Sequence, residues 1–138
     1  MIKIAFFDVD GTLLKLGSKV PSFQTVQTLQ QLQAKGILLC MATGRGYLSV
    51  PHFEGVDFDL WLTFNGSYVR SKDAVISKNP LDADDKRRIL HNLKQMHRAA
   101  AISNEHFIVT NGTDPDLEQY FFLRQREADD LRAFRQAL

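Results

Sequence analysis

The hydrophobic pattern changes period several times along the chain, and each change predicts an element. Ile2, Ile4, Ala5, Phe6 and Phe7 form an apolar run with one Lys inside it, and its β-branched and aromatic residues predict a buried strand over 2–7. Phe23, Val26, Leu29 and Leu32 then recur at three-residue intervals, with Gln and Lys on the other positions. That spacing predicts an amphipathic helix to about Lys35, with Ser22 as its N-cap after Pro21 and Gly36 as its C-terminal stop. Residues 37–42 are apolar without interruption, as a strand covered on both faces should be. Strand, helix and strand in so short a span make a βαβ unit, so the two strands should be parallel. A third strand is predicted over 57–64, stopped by Asn65-Gly66.

The texture changes from Ser67. Residues 67–70 and 74–77 flank a polar connection of hairpin length, Ser71-Lys72-Asp73. Asp82 can cap a helix over roughly 83–98, with Ile89, Leu90, Leu93, Met96 and His97 on one face. Its first turn carries Asp84 and Asp85 and its end Lys94 and Arg98, as the helix dipole prefers. A further strand is predicted around 106–109. Asp114-Pro115 reads as an N-cap followed by Pro at the first helical position. Leu117, Tyr120, Phe121, Leu131, Phe134 and Leu138 suggest one or two more helices, with a break near Gln125. The first half is therefore an α/β arrangement with a parallel sheet, and the second an α+β pattern.

Each of the three early strands ends in a polar, glycine-bearing turn: Asp8-Val9-Asp10-Gly11-Thr12, Thr43-Gly44-Arg45-Gly46 and Asn65-Gly66. In an open α/β sheet the ligand crevice lies outside the carboxyl ends of the strands, which would bring Asp8, Asp10, Thr43 and Asn65 to one edge. In an extended chain Asp8 and Asp10 would share a face. Two nearby acids before a tight turn at Gly11 suit a hard divalent cation with a phosphate beside it.

Composition narrows the alternatives. The 138 residues suit one domain, or one with a partial second; 44% hydrophobic residues suffice for a core, and 24% charged residues are ordinary for a soluble protein. A net charge of +1 gives no field that argues for nucleic acid or a membrane surface. No apolar run approaches the roughly 18 residues needed to span a bilayer, and no signal-peptide pattern opens the sequence. Cys40 is the single cysteine, which fits a reducing cytoplasm. It lies mid-strand and reads as a small core residue. The four His lack metal-ligand spacing, and Lys86-Arg87-Arg88 reads as a solvated helix face.

The segment Asp8-Val9-Asp10-Gly11-Thr12-Leu13-Leu14 resembles the first motif of the haloacid dehalogenase superfamily of phosphohydrolases. Ala42-Thr43-Gly44-Arg45 resembles the second motif in its Cof-type (subfamily IIB) form. Thr63-Phe64-Asn65-Gly66-Ser67-Tyr68-Val69 is similar to the passage from core to inserted cap. The resemblance implies a partial Rossmann-like parallel sheet over 1–66 and an incomplete α+β cap over 67–138. It implies Asp8 as nucleophile, Asp10 as general acid and base, and Mg²⁺ held by the Asp8 carboxylate and the Asp10 carbonyl. Thr43 and Gly44 would bind phosphoryl oxygens; Gly11, Arg45 and Asn65 are substrate or structural candidates. The family's third motif, a Lys, and its fourth, an acidic metal motif, have no match: Asp114-Pro115-Asp116 and Asp129-Asp130 do not follow an apolar strand and a Gly. The chain thus reads as the N-terminal part of such a phosphatase. The expected ligand is a small phosphorylated metabolite such as a sugar phosphate, with no nucleic-acid or membrane partner. Exposed sheet surface would favour self-association or a complementing fragment. The alternative is a catalytically silent remnant that binds phosphate or a protein partner.

Overall fold

The structure is a computed structural model that describes residues 2–123. The readings placed on Gln125, Asp129, Asp130, Leu131, Phe134 and Leu138 lie outside the described residues. The chain divides into two compact units, Met1–Pro80 and Leu81–Leu138.

The first unit is built on a sheet of five strands in sequence order: β1 (Ile4–Phe7), β2 (Leu38–Ala42), β3 (Leu60–Thr63), β4 (Tyr68–Ser71) and β5 (Val75–Lys78). β1, β2 and β3 run parallel, with Phe7 opposite Met41 and Met41 opposite Trp61. The hairpin β4–β5 continues the same sheet antiparallel, Tyr68 lying opposite Thr63. The change in composition after Gly66 therefore marks a switch from parallel to antiparallel pairing within one sheet, and the division into units falls after Pro80.

Helix α1 (Phe23–Ala34) joins β1 to β2; Ser22 caps it through a hydrogen bond from the Thr25 amide to Ser22 Oγ at 3.1 Å. Leu29 is buried and Val26 and Leu32 pack beside it, but Phe23 is exposed. A three-residue spacing drifts backward around the helix by roughly 60° per step, so four such positions cannot all face one sheet. Gly36, at φ +71°, ends the helix in the left-handed conformation that favours glycine.

Leu39 and Met41 project from one face of β2 into the core, with Leu29, Val9, Leu13 and Leu14. Phe53, Val56 and Phe58 complete it from the β2–β3 connection, which contains only a short 3₁₀ turn (Tyr47–Ser49). Phe53 and Phe58 meet edge to face, their ring centres 5.8 Å apart. Gln30 and Gln33 of α1 donate to the carbonyls of Gly55 and Asp57, which fastens this irregular segment over the sheet. Asp57 and Phe58, assigned to strand from sequence, belong to that segment. Cys40, on the opposite face of β2, is buried, and burial pushes its thiol up to about 11, a backbone hydrogen bond from Leu62 opposing this. Its neighbours Phe6 and Leu38 are half exposed, at 55% and 47%.

The second unit comprises α2 (Ala83–Gln95), a two-stranded antiparallel pair β6 (Ala101–Ser103) and β7 (Ile108–Thr110), and α3 (Pro115–Leu123). Asp82 caps α2 by accepting from the Asp85 amide at 2.7 Å. The helix ends at Gln95, with Met96 as its C-cap, so His97, at φ +51°, is not on the apolar face expected for it. Asp114 caps α3 through the Leu117 amide, and also accepts from the Ala99 amide and Arg98. Arg98 bonds Asp116 as well. No helix among the described residues is long and apolar enough to cross a membrane.

Candidate active site

Because β1, β2 and β3 are parallel, the three glycine-bearing turns emerge at one edge of the sheet. β1 ends at Phe7, so strand alternation does not extend through Asp8 and Asp10. A tight turn sets their positions instead. The Leu13 amide returns to the Asp8 carbonyl at 3.2 Å, the Leu14 amide to the Val9 carbonyl at 2.8 Å, and the Gly11 amide to the Leu14 carbonyl at 2.7 Å. Gly11 makes the reversal at φ +88°. Val9, Leu13 and Leu14 are buried beneath this turn, which leaves Asp8, Gly11 and Thr12 in solvent. Apolar anchors hold the polar loop open. Among the described residues no protein group hydrogen-bonds the Asp8 carboxylate.

Asp10 is held differently. Arg45 Nε donates to Asp10 Oδ2 at 3.0 Å and Nη2 to Oδ1 at 2.6 Å, a two-point pair between the first and second turns. Arg45 Nη1 donates to the Ser49 carbonyl at 3.1 Å, so the guanidinium is fixed on both sides. Charge-assisted two-point pairs are the strongest side-chain hydrogen bonds, and here the guanidinium is only 15% exposed. Sequence placed Arg45 merely as a substrate or structural contact. Its role toward Asp10 follows from the parallel register, which puts turns 35 residues apart side by side.

Thr43 is buried, and its Oγ accepts from the Arg45 amide at 3.2 Å. That bond uses one lone pair and leaves the hydroxyl proton to be aimed elsewhere. The Gly44 amide has no acceptor among the described residues. The third turn is stapled to the second: Phe64 N donates to the Arg45 carbonyl at 2.9 Å and Asn65 N to the Thr43 carbonyl at 3.2 Å. Asp10, Thr43, Gly44, Arg45 and Asn65 thus form one connected group, to which Asp8 is joined through the first turn. Sequence also gave no sign of the brace behind it, where Arg70 lies over the Tyr47 ring, donates to the Tyr47 hydroxyl at 3.1 Å, and Tyr47 meets Tyr68.

For a divalent cation the chain offers hard oxygen donors in the Asp8 carboxylate and the Asp10 carbonyl. Among the described residues no group of three His, Cys, Asp or Glu could enclose a metal. Two protein oxygens with water and phosphate making up the rest is how Mg²⁺ is commonly held, so the donor set fits that ion.

A family model of haloacid dehalogenase-like hydrolases matches residues 5–135. This chain belongs to that family. It is 33% identical over 124 residues to the HMP-PP phosphatase of Enterobacter sp. strain 638, a match that covers 85% of this chain and 44% of the relative. An HMP-PP phosphatase of Escherichia coli O81 is 34% identical over 128 residues, covering 88% and 45%. Among solved structures, the haloacid dehalogenase-superfamily phosphatase BT1666 of Bacteroides thetaiotaomicron superposes with a TM-score of 0.76 at 30% identity, covering 89% of this chain and 46% of that one. The subclass IIB sugar phosphatase BT4131 shares the fold, with a TM-score of 0.74 at 23% identity over 87% of this chain and 48% of that one. This member of the family thus spans half or less of the length of these relatives.

Proposed function

We propose that this chain carries the phosphoryl-accepting part of a phosphohydrolase acting on small phosphorylated metabolites such as sugar phosphates. The observation that carries the reading is the contrast between the two acids: the Asp8 side chain is exposed and, among the described residues, accepts no protein hydrogen bond, whereas the Asp10 carboxylate is clamped by Arg45. A nucleophile must be reachable, and a general acid must be oriented. An Asp8 oxygen attacks phosphorus, the bond to the ester oxygen breaks, and an aspartyl-phosphate forms. Asp10 enters the first step as the carboxylic acid, held by Arg45 through one oxygen, and gives its proton to the departing alkoxide; as a carboxylate it then takes a proton from the water that releases inorganic phosphate and restores Asp8. The two-point pair with Arg45 orients that carboxylate for the second step. The Gly44 amide and the Thr43 hydroxyl donate to the phosphoryl oxygens as charge develops on them. Mg²⁺, held by the Asp8 carboxylate and the Asp10 carbonyl, would offset the repulsion between carboxylate and phosphate.

In this reading 1–66 is the N-terminal part of the catalytic core and 67–138 a partial cap, the protein works in the cytoplasm, and the half-exposed apolar face around Phe6 and Leu38 meets a second copy or a complementing polypeptide. The test is phosphate release from an aryl phosphate with Mg²⁺, comparing the native chain with Asp8→Asn. The expected result is release by the native chain alone. Equal rates, or release by neither, would remove hydrolysis from this chain. The second reading is a catalytically silent phosphate binder, supported by the donors at the second turn, the Gly44 amide and the Thr43 hydroxyl, which can hold phosphate without any reaction at Asp8. It predicts that the native chain binds inorganic phosphate without turning over the aryl ester.

A further inference from the structure

Residues 64–66 turn through three successive left-handed conformations: Phe64 at φ +51°, Asn65 at φ +55° and Gly66 at φ +87°. Glycine takes such angles freely and asparagine with modest cost, but a bulky aromatic residue does not. Strain of this kind persists only where the surroundings enforce it. Here they do, because the Phe64 and Asn65 amides are tied to the Arg45 and Thr43 carbonyls on the second turn.

The strained backbone delivers one side chain. The Asn65 carboxamide lies against Gly44 so closely that a Cβ at Gly44 would stand 2.9 Å from Asn65 Oδ1 and 3.7 Å from Nδ2. The residue is exposed, and among the described residues no protein group hydrogen-bonds that carboxamide. An asparagine that served only to make the turn would have no need to set its amide beside Gly44. The Asn65 carboxamide thus lies beside Gly44, whose amide also has no acceptor among the described residues.

We propose that the Asn65 carboxamide is a binding residue for the phosphoryl group, donating through its NH₂ to a phosphate oxygen alongside the Gly44 amide. A side chain at 44 would push the carboxamide out of that position. The inference rests on the phosphohydrolase reading only in assuming that phosphate binds at this edge.

The experiment is a titration of the full chain with inorganic phosphate, followed by the amide resonance of Gly44, in the native protein and in Asn65→Gly, Asn65→Asp and Thr43→Val. Asn65→Gly removes the carboxamide and suits the left-handed backbone, so folding is retained. Its phosphate affinity should fall about tenfold, the order expected for one hydrogen bond to a charged group. Asn65→Asp should fall further, because it sets a carboxylate against the anion. If Asn65→Gly binds phosphate as the native chain does while Thr43→Val weakens it, the Asn65 inference fails and the phosphate site stands. If the native chain shows no phosphate-dependent shift at Gly44, the Asn65 inference and the phosphate site fall together.

Discussion

The two compact units are held together by different forces. In Met1–Pro80, nine apolar residues from a helix, a strand, a turn and an irregular connection are almost fully buried in one cluster. In Leu81–Leu138 no apolar side chain among the described residues reaches that state: Ile89, Leu90 and Met96 of the α2 region are 43%, 40% and 68% exposed. Polar caps shape this second unit, with Asp82 on α2 and Asp114 on α3, and Arg98 between Asp114 and Asp116. Apolar burial is non-directional and carries no charge to titrate or screen, whereas capping carboxylates and exposed ion pairs depend on pH and ionic strength. The candidate site sits on the unit with the core. Its first turn needs Val9, Leu13 and Leu14 driven inward to keep Asp8 and Asp10 outward.

The largest expected effect breaks the comparison at its base. Leu29→Ala should cost about 2–5 kcal/mol in denaturant unfolding, as buried Leu truncations do. Ile89→Ala, on the exposed face of α2, should cost below about 1 kcal/mol. Equal losses would mean that the two units share one stabilising mechanism.

A smaller effect is expected at the site. Arg45→Met removes the two-point pair with Asp10 and the bond to the Ser49 carbonyl, and should destabilise the first unit by about 1–2 kcal/mol. Arg45→Lys should restore little of this, because an ammonium cannot serve both Asp10 oxygens in the planar fork. Thermal unfolding of the three proteins measures the difference, and full rescue by Lys would show that charge alone matters.

The remaining effects lie at the extremes of pH, where the units should fail at opposite ends. The Cys40 thiol is raised from its ordinary 9.0 to about 11 by burial. The unfolded chain therefore releases this proton first as pH rises, and stability present below 9.0 is lost from there toward 11. Asp114 moves the other way: the Leu117 and Ala99 amides, then Arg98, hold its carboxyl below the ordinary 3.8. Its contribution is present above that value and is lost as pH falls below it. Amide exchange should show Leu117 and Ala99 losing protection first in acid while Thr43, whose amide bonds the Leu62 carbonyl, stays protected, and Cys40→Ala should flatten the alkaline loss.

Where a local pattern sets the backbone, the sequence is a good guide. Ser22, Asp82 and Asp114 act as caps at the positions read for them, and the parallel pairing of β1 with β2 follows from the strand–helix–strand spacing. Two things were out of reach. The β2–β3 connection holds Phe53, Val56 and Phe58 in the core without a helix, and irregular burial has no period to read. The Arg45–Asp10 pair and the Gly44–Asn65 contact join separate turns, so they exist only once the strands are in register. Sequence named all four of those residues, and the sheet supplied their pairing.

The contact between Gly44 and Asn65 also couples the substitutions that the two positions accept. A methyl group at 44 meets the mobile end of the Asn65 side chain, not backbone, so an alanine there displaces the carboxamide and leaves the turn intact. With an alanine at 44, glycine becomes the better residue at 65 for that left-handed backbone, because the carboxamide has lost its place. On the proposed role of Asn65, a change at one position therefore alters what the other position contributes.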